Sequence, residues 1–234
     1  ERSFGNARFD YAFHFLPELH ANLNLGYDVS KGYGTIRVPE YAAQNASTKG
    51  FEKQSLDTQN NKVAEFYLNY KKDLTSLRSN IDVTAGYGYY DNSTTNNNFS
   101  EYRANGSLIK APQFPFNVER EKLLSYYGRL IYTFADNYIL SGTMRADGSS
   151  RFAEDNLYGI FPGISAGWNI HSEKFWDGLS RYVQTFKLRS SWGQTGNNEL
   201  NIADTRGAYS TGRNYAGQPG ILSTTLPNRS LVWE

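Results

Sequence analysis

The sequence predicts an all-β fold: an antiparallel, up-and-down segment of a transmembrane β-barrel, with about eight strands in four hairpins. Apolar and polar side chains alternate along these stretches, the connections alternate between short and long, and aromatic residues are abundant. Successive residues of a strand face opposite sides of its sheet, so each stretch has one apolar face and one polar face.

The composition favours strands that have one face in contact with water. Hydrophobic residues make up only 39% of the 234 residues, yet aromatic residues make up 15%, with 18 Tyr, 14 Phe and a single Met. A compact helical core would draw on Leu, Ile, Val and Met, whereas aromatic residues are enriched in strands. The balance therefore indicates β-structure in contact with a polar medium.

Charge and cysteine content exclude several classes of function. A net charge of +1 gives no electrostatic reason to expect nucleic acid as a partner. The chain has no Cys, which excludes disulfides and thiolate metal sites. It has no apolar run long enough for a spanning helix, although membrane strands leave little trace in hydropathy. Because it opens on Glu1 rather than Met, we expect it to be a piece of a longer protein.

The four hairpins follow one another along the chain. The predicted strands are Arg8–Phe15, Leu19–Val29, Val63–Tyr70, Leu77–Tyr89, Leu124–Phe134, Tyr138–Asp147, Tyr158–Ile170 and Gln184–Gln194. Connections after the first, third and fifth are short, and those after the second, fourth and eighth are long and polar. In an up-and-down sheet the two kinds lie at opposite ends, as do the short periplasmic turns and long external loops of outer-membrane barrels.

The first hairpin shows how a turn sets the register. Pro17 fixes φ in the predicted turn 16–18, which places Phe15 opposite Leu19 and joins the two apolar faces. The same register places His14 opposite His20 on the polar face. Zinc needs at least a third protein ligand, so we interpret this pair as solvated histidines and predict no metal site.

The long connections are expected to be polar loops. They cover residues 30–62, 91–122 and 195–230, and the second contains a low-complexity run of Asn, Ser and Thr from Asn92 to Asn98. Such a composition cannot build a packed core, so the run is predicted to be a solvated loop. The last four residues, Leu231–Glu234, are predicted to begin a ninth strand.

Charge placement assigns a solvent to each face. The polar faces carry Arg78, Arg129, Arg145, Lys187 and Arg189, while the apolar faces carry few charges. A Lys or Arg facing lipid near the midplane would cost about 2–4 kcal/mol, so the apolar faces are predicted to meet lipid and the polar faces a hydrated lumen. Aromatic residues near the turn ends suit a membrane-interface girdle. These are Tyr70, Phe134, Tyr138 and Trp168.

Five motifs stand in order across about 75 residues of the chain. They are Ser125-Tyr126-Tyr127-Gly128-Arg129, Asp136-Asn137-Tyr138-Ile139-Leu140, Arg145-Ala146-Asp147-Gly148-Ser149-Ser150-Arg151-Phe152, Phe161–Trp168 and Lys187–Asn197. This set resembles the SusC/RagA-type TonB-dependent outer-membrane transporters of the Bacteroidetes.

The resemblance implies a fold and an activity. Such proteins hold a plug domain inside a barrel of about 22 strands. They import oligosaccharides or peptides across the outer membrane of Gram-negative bacteria with energy relayed by TonB, under a SusD-like lipoprotein lid. On this basis residues 1–234 are expected to be part of the barrel, without the plug or the segment that contacts TonB. The chain would then contact outer-membrane lipid and the lid lipoprotein, and would need no cofactor.

Two groups of residues are candidates for chemistry. Residues Asp147–Arg151, within the Arg145–Phe152 motif, could form a nucleophile or an anion nest, but no His lies nearby in sequence. We therefore predict a tight loop in which Gly148 adopts positive φ and Asp147 accepts backbone donors. In the last long connection, Tyr209, Arg213 and Tyr215 could contact a sugar by stacking and hydrogen bonding. No set of nucleophile, base and orienting group is present, so no enzyme activity is predicted.

Two alternatives remain open on the residues alone. One is a self-contained eight-stranded outer-membrane barrel with a structural or adhesive role, since eight strands can close around a filled interior. The other is a soluble carbohydrate-binding β-sandwich, in which the aromatic faces of two sheets would pair into one dry core.

Overall fold

The described residues form twelve strands, one short α-helix and several single turns of 3-10 helix. The structure, a computed structural model, describes all residues except 44–46, 48, 216 and 217, and it leaves out the side chains of 211–215 and 219. The strands are β1 (Arg2–Phe13), β2 (Leu16–Val38), β3 (Phe51–Leu74), β4 (Ser79–Asn98), β5 (Glu101–Tyr102), β6 (Leu108–Lys110), β7 (Phe116–Phe134), β8 (Tyr138–Ser149), β9 (Tyr158–Trp168), β10 (Leu188–Gly193), β11 (Ala208–Tyr215) and β12 (Gln218–Thr225). The helix, α1, is Ile202–Arg206.

One large antiparallel sheet confirms the predicted fold class. Its strands follow chain order, β1-β2-β3-β4-β7-β8-β9-β10, with β5 and β6 attached beside β3. In the described part of the chain β1 and β10 do not pair, so the sheet does not close on itself. A separate two-stranded sheet pairs β11 with β12. Among the described residues, no helix is long and apolar enough to cross a bilayer.

The register of β7 to β10 confirms the predicted faces. Phe134 pairs with Tyr138, Tyr138 with Trp168, and Trp168 with Leu188. Even-numbered residues therefore share one face across four strands, and odd-numbered residues share the other. Large apolar side chains of the even face are strongly exposed, as Met144 (61%) and Ile164 (61%) show. The face that was predicted to meet lipid is therefore apolar and exposed.

The strands are longer than predicted. The connection expected over 30–62 shortens to residues 39–50, because β2 continues to Val38 and β3 begins at Phe51. The Asn-rich run, predicted to be a loop, lies wholly within β4. Neighbouring strands satisfy its backbone, and Asn97 also donates its amide to the Leu56 carbonyl at 3.1 Å. Hydropathy missed these extensions because their residues form no apolar face, whereas a strand is held by backbone hydrogen bonds that any side chain permits.

The turn of the first hairpin lies earlier than predicted, at residues 14–15 and not at 16–18. The chain turns at His14 and Phe15, between β1 and β2, and Pro17 is the second residue of β2. Proline is tolerated there because a strand end has few ladder bonds to lose. The predicted pairing of Phe15 with Leu19, and of His14 with His20, is therefore wrong.

The C-terminal region contains structure where a loop was expected. Helix α1 and the β11–β12 hairpin occupy most of residues 195–230. Asn201 caps α1 by accepting the backbone N–H of Ala203 at 3.0 Å. By contrast, Leu231–Glu234, predicted as a ninth strand, has no strand structure. Its side chains instead pack on the sheet, as described below.

The chain divides into two compact units. The first contains Glu1–Ala7, Leu25–Val63 and Tyr90–Glu121, and the second contains Arg8–Asn24, Ala64–Tyr89 and Lys122–Glu234. Ion pairs between strands mark the first unit, such as the two-bond contact of Arg2 with Asp28 at 2.7 and 2.8 Å. The features that carry the family motifs all lie in the second unit.

Candidate functional site

The polar face of the second unit lines a cavity of about 1080 Å³. Its walls come from β1 to β4 and β7 to β9, and both signs of charge are present. The charged lining residues are Arg8, Asp10, Glu18, Lys71, Asp73, Asp82, Arg129, Arg145 and Asp147. A polar surface of this size suits contact with water, a polar ligand or a protein segment.

Hydrogen bonds between side chains organise this polar face. Asn69 donates its amide to a carboxylate oxygen of Asp82 at 2.8 Å and to the hydroxyl of Thr84 at 3.0 Å. On the neighbouring strand, Asn24 donates to Glu65 at 3.0 Å. These contacts join adjacent strands and hold the acidic groups against the wall.

Arg145 and Asp147 form a salt bridge on the polar face. The Arg145 Nε donates to both carboxylate oxygens of Asp147 at 2.7 Å, and its Nη2 donates to the Ser125 hydroxyl at 3.0 Å. Alternation along β8 puts both residues on the same side, and Ser125 pairs with Asp147 in the register. Asp147 therefore binds the side chain of Arg145. The tight-loop prediction required it to accept backbone donors, and among the described hydrogen bonds it accepts none.

Gly148 has a different role from the predicted one. Its φ is not in the positive range, and it continues β8 opposite Tyr158. A Cβ at this position would lie 2.8 Å from the Tyr158 ring. The glycine is thus required for the close approach of an aromatic ring, not for a turn.

The rest of the motif, Ser149 to Phe152, is an anchor for the C-terminal region. The guanidinium of Arg151 donates to the Leu200 carbonyl at 3.1 Å, and the Arg151 carbonyl accepts the Thr205 hydroxyl at 2.7 Å. Ser149, which is 1% exposed, accepts the amide of Asn198. Ser150 bonds to Lys122 through both backbone and side chain at 3.0 and 2.9 Å. We refer to residues 149–152 as the anchor loop.

Three aromatic rings complete the anchor. Phe152, 3% exposed, lies 5.1 Å from the Trp233 ring, and Phe161 lies 5.4 Å from the same ring. The Trp233 indole donates to the Leu157 carbonyl at 3.0 Å. Gly159 and Gly196 border the cluster, and a Cβ on either would clash with Phe161 and Trp233. This packing explains why Leu231–Glu234 does not continue as a strand.

Aromatic residues also form a row at the turn end of the even face. Tyr138 lies 6.2 Å from Phe134 and is stacked on Trp168 at 6.1 Å. Phe175, in the connection after β9, meets the edge of Trp168 at 6.4 Å. We call Phe134, Tyr138 and Trp168 the aromatic row. The fourth predicted girdle residue, Tyr70, lies on β3, which β4 separates from β7 in the sheet.

A carboxylate fixes the aromatic row. One oxygen of Glu173 accepts the Tyr138 hydroxyl at 2.7 Å, the Trp168 indole at 3.1 Å and the Asn137 amide at 3.2 Å. Glu173 lies between strands, and these bonds, above all that from Tyr138, hold the pKa of its carboxyl below the usual range. The acid therefore stays charged and orients both ring donors.

The comparisons with known proteins agree on one family. No family model matches the sequence. The chain is 32% identical to the TonB-dependent receptor SusC of Bacteroides thetaiotaomicron over 98% of its own length and 24% of that protein. It is 27% identical to the TonB-dependent receptor P3 of Formosa agariphila, over 97% of the chain and 24% of the relative.

Solved structures show the same fold. The RagAB peptide transporter superposes with a TM-score of 0.78 over 99% of this chain and 26% of that chain, at 18% identity. The RagAB peptide importer in its open-open state gives a TM-score of 0.73. The chain belongs to the SusC/RagA-type TonB-dependent receptors. It spans about a quarter of the length of the relatives that it matches.

The matched SusC/RagA-type proteins are receptors and transporters and not enzymes, which confirms the expectation that the chain is not an enzyme. The polar residues of the Arg145–Phe152 motif form hydrogen bonds within the sheet and with the C-terminal region. None of them faces a base in a catalytic arrangement among the described contacts.

Two of the three histidines, His14 and His20, were predicted to face each other, and they make different contacts. His14, in the turn, contacts the Tyr11 hydroxyl at 3.3 Å, and His20, on β2, contacts Asp10 at 3.1 Å. The described residues contain no group of three or more His, Cys, Asp or Glu that could hold a metal ion. The predicted facing pair does not form because the turn lies earlier than expected.

The candidate sugar-contact residues lie on one strand. Tyr209, Arg213 and Tyr215 belong to β11, opposite Ser223, Gly220 and Gln218 of β12. Tyr209 is 68% exposed. The side chains of Arg213 and Tyr215 lie outside the described part, so their contact with a sugar stays a prediction.

Sequence reasoning missed two residues on which this segment depends. Glu173 lies in a connection with no motif, and only its spacing from Trp168 could have suggested a contact. Trp233 was assigned to a strand on its apolar neighbours. The two glycines that border its ring, Gly159 and Gly196, were the available signal for a close aromatic contact.

Proposed function

We propose that this chain is part of the barrel wall of an outer-membrane active transporter that imports oligosaccharides or peptides. The observation that carries the proposal is 32% identity to SusC along 98% of the chain. The peptide alternative draws on RagAB, which is named a peptide transporter. Even-numbered residues of β7 to β10 would face outer-membrane lipid, and the polar face would face the lumen.

Energy and partners follow from the same family membership. Import would draw on TonB through a plug domain, and a SusD-like lipoprotein would cover the barrel mouth. The polar cavity of about 1080 Å³ suits this arrangement, because a wall that carries charges of both signs can contact a plug or a hydrated cargo while it stays in contact with water. The Tyr209, Arg213 and Tyr215 group is proposed to contact cargo from β11.

Two observations favour the transporter over the alternatives. A sandwich would bury its aromatic faces against each other, yet Tyr126 and Trp192 of the even face are 51% and 59% exposed. A self-contained eight-stranded barrel would pair β1 with β10, and these strands do not pair in the described part of the chain.

Uptake by cells tests the proposal. A strain that lacks the complete receptor gene would be compared with the same strain carrying the gene, using labelled oligosaccharides and labelled peptides in parallel. We expect the gene to restore uptake of one class, and we expect uptake to stop when the proton motive force is collapsed. Uptake that is unchanged by deletion for both classes would overturn the proposal.

A further inference from the structure

The connection between β9 and β10 is longer than the other turns at the same end of the sheet and exposes more large apolar side chains. Hydrogen bonds link the turn ends in a row: Ala135 N–H to the Arg78 carbonyl, and Asn169 N–H to the Asn137 carbonyl, both at 2.7 Å. The β1–β2 and β3–β4 turns are short, and each exposes one large apolar side chain, Phe15 (82%) and Leu77 (60%). The β9–β10 connection runs from 169 to 187 and exposes large apolar side chains. These are Phe175 (64%), Leu179 (49%), Tyr182 (81%), Val183 (44%) and Phe186 (44%).

This connection is folded and not a loose loop. Backbone N–H groups of Leu179 and Ser180 donate to the Trp176 carbonyl at 2.8 and 3.0 Å, and those of Tyr182 and Val183 donate to the Leu179 carbonyl at 2.9 Å. The Trp176 ring stacks on Phe186 at 5.0 Å. Its indole donates to the Val183 carbonyl at 3.0 Å. The exposed apolar groups are therefore presented by a closed, hydrogen-bonded segment.

The apolar surface of the segment is continuous with the lipid-facing wall. Phe175 meets Trp168, which stacks on Tyr138, so the segment extends the aromatic row without a polar gap. The acid at its start, Glu173, is bound to Tyr138 and Trp168. An exposed apolar patch next to an interfacial aromatic belt is most stable in contact with lipid.

The charged residues of the segment also favour contact with lipid. Lys174 and Arg181 form no ion pair among the described residues, and both are exposed. Cations beside apolar groups are typical of segments that lie in the boundary between headgroups and acyl chains, where phosphates face the cations. Protein–protein interfaces are depleted of Lys relative to the rest of the surface, so an exposed Lys in this patch favours lipid over a protein partner.

We propose that residues 174–186 form an interfacial segment, seated in the leaflet on the short-turn side of the membrane. Phe175, Leu179 and Tyr182 enter the boundary between headgroups and acyl chains, and Lys174 and Arg181 meet phosphate groups. This inference rests on the proposed function, because it requires the even face to meet lipid. For an outer-membrane barrel the leaflet is the periplasmic one.

Quenching of single labels tests the inference in the complete receptor. Because the chain has no Cys, one cysteine can be introduced into it at a time and labelled with a fluorophore. Variants F175C, L179C and Y182C report on the segment, D177C is its matched polar control, and L140C reports on the wall. The receptor is reconstituted in vesicles of phosphatidylcholine and phosphatidylglycerol, with or without bromine near the middle of the acyl chains. Iodide serves as the aqueous quencher.

We expect bromine to quench labels at 175, 179 and 182 several-fold more than the label at 177, and iodide to show the reverse order. The inference would be overturned if iodide quenched the labels at 175, 179 and 182 as strongly as the label at 177, while the label at 140 remained exposed to lipid. Shielding from both quenchers would overturn it in favour of a protein partner. Loss of bromine quenching at 140 would contradict the proposed function itself. If F175C disturbs the contact with Trp168, the labels at 179 and 182 still test the inference.

Discussion

The phenolic oxygen of Tyr138 lies 2.7 Å from the Glu173 carboxylate, and the same oxygen of Glu173 accepts the Trp168 indole at 3.1 Å. Tyr138 and Trp168 are register partners on adjacent strands. The carboxylate thus binds two stacked rings from outside the sheet. It connects the end of the barrel wall with the segment that follows β9.

The Glu173 contact predicts a pH dependence. The folded pKa of this acid is lowered, so the stability that it contributes is complete above the unfolded value near 4.5 and is lost as pH falls through the folded pKa. We expect hydrogen exchange at the Asn169 amide, corrected for its intrinsic rate, to be slow at neutral pH and faster below 4.5. E173Q should exchange faster at neutral pH and lose this pH dependence.

A control separates this effect from a general loss of charge. Asp177 is an exposed acid on the same connection, and no described hydrogen bond involves its carboxylate. D177N should leave exchange at Asn169 unchanged. Equal protection in E173Q and the parent protein at neutral pH would show that the carboxylate does not hold the aromatic row.

The anchor loop predicts a local loss of structure. Phe152→Ala removes a buried ring from the Trp233 contact, and truncation of a buried Phe costs about 3 kcal/mol or more. We expect faster proteolysis in residues 198–230, with the strands of the large sheet intact. The control is Leu226→Ala, an 80% exposed side chain in the same region, which should change stability by less than about 0.5 kcal/mol. Proteolysis that is equal in the two variants would contradict the anchor.

Gly148 offers a steric prediction. A methyl group at this position would lie 2.8 Å from the Tyr158 ring, whereas at Gly142, on the same face of β8, it would meet nothing within 4 Å. Because the Tyr158 ring can shift outward, we expect Gly148→Ala to cost about 1 kcal/mol in thermal or denaturant unfolding. Gly142→Ala should be close to neutral. The same loss in both variants would indicate a general glycine effect and not the ring contact.

Sequence reasoning succeeded where a membrane imposes alternation. Along β7 and β8 a slip of one residue would turn every apolar side chain to the polar face, so the pattern from Leu124 to Phe134 determined both faces and register. It failed at Asn92 to Asn98, which form part of a strand although they have no apolar face. Neighbouring strands, and not local propensity, decide that structure.

Motif recognition located the important loop but not its chemistry. Asp147 was expected to serve the backbone, yet Arg145 is its partner two residues away on the same face of β8. Gly148 was assigned to a turn, although it lies in β8 against the Tyr158 ring of the neighbouring strand. The contacts of Trp233 with Phe152 and Phe161 join residues about 70 to 80 positions apart, a relationship that local pattern cannot contain.

The most direct test of the account is a scan of alternate positions along β8 in the membrane-embedded receptor. Spin labels would be placed at 140, 141, 143 and 144, with oxygen as the lipid-soluble relaxant and a nickel chelate as the water-soluble one. The account predicts that labels at Leu140 and Met144 respond to oxygen, whereas those at Ser141 and Thr143 do not contact lipid. Equal oxygen response at all four positions, or the opposite alternation, would contradict the assignment of this chain to a barrel wall with lipid on its even face.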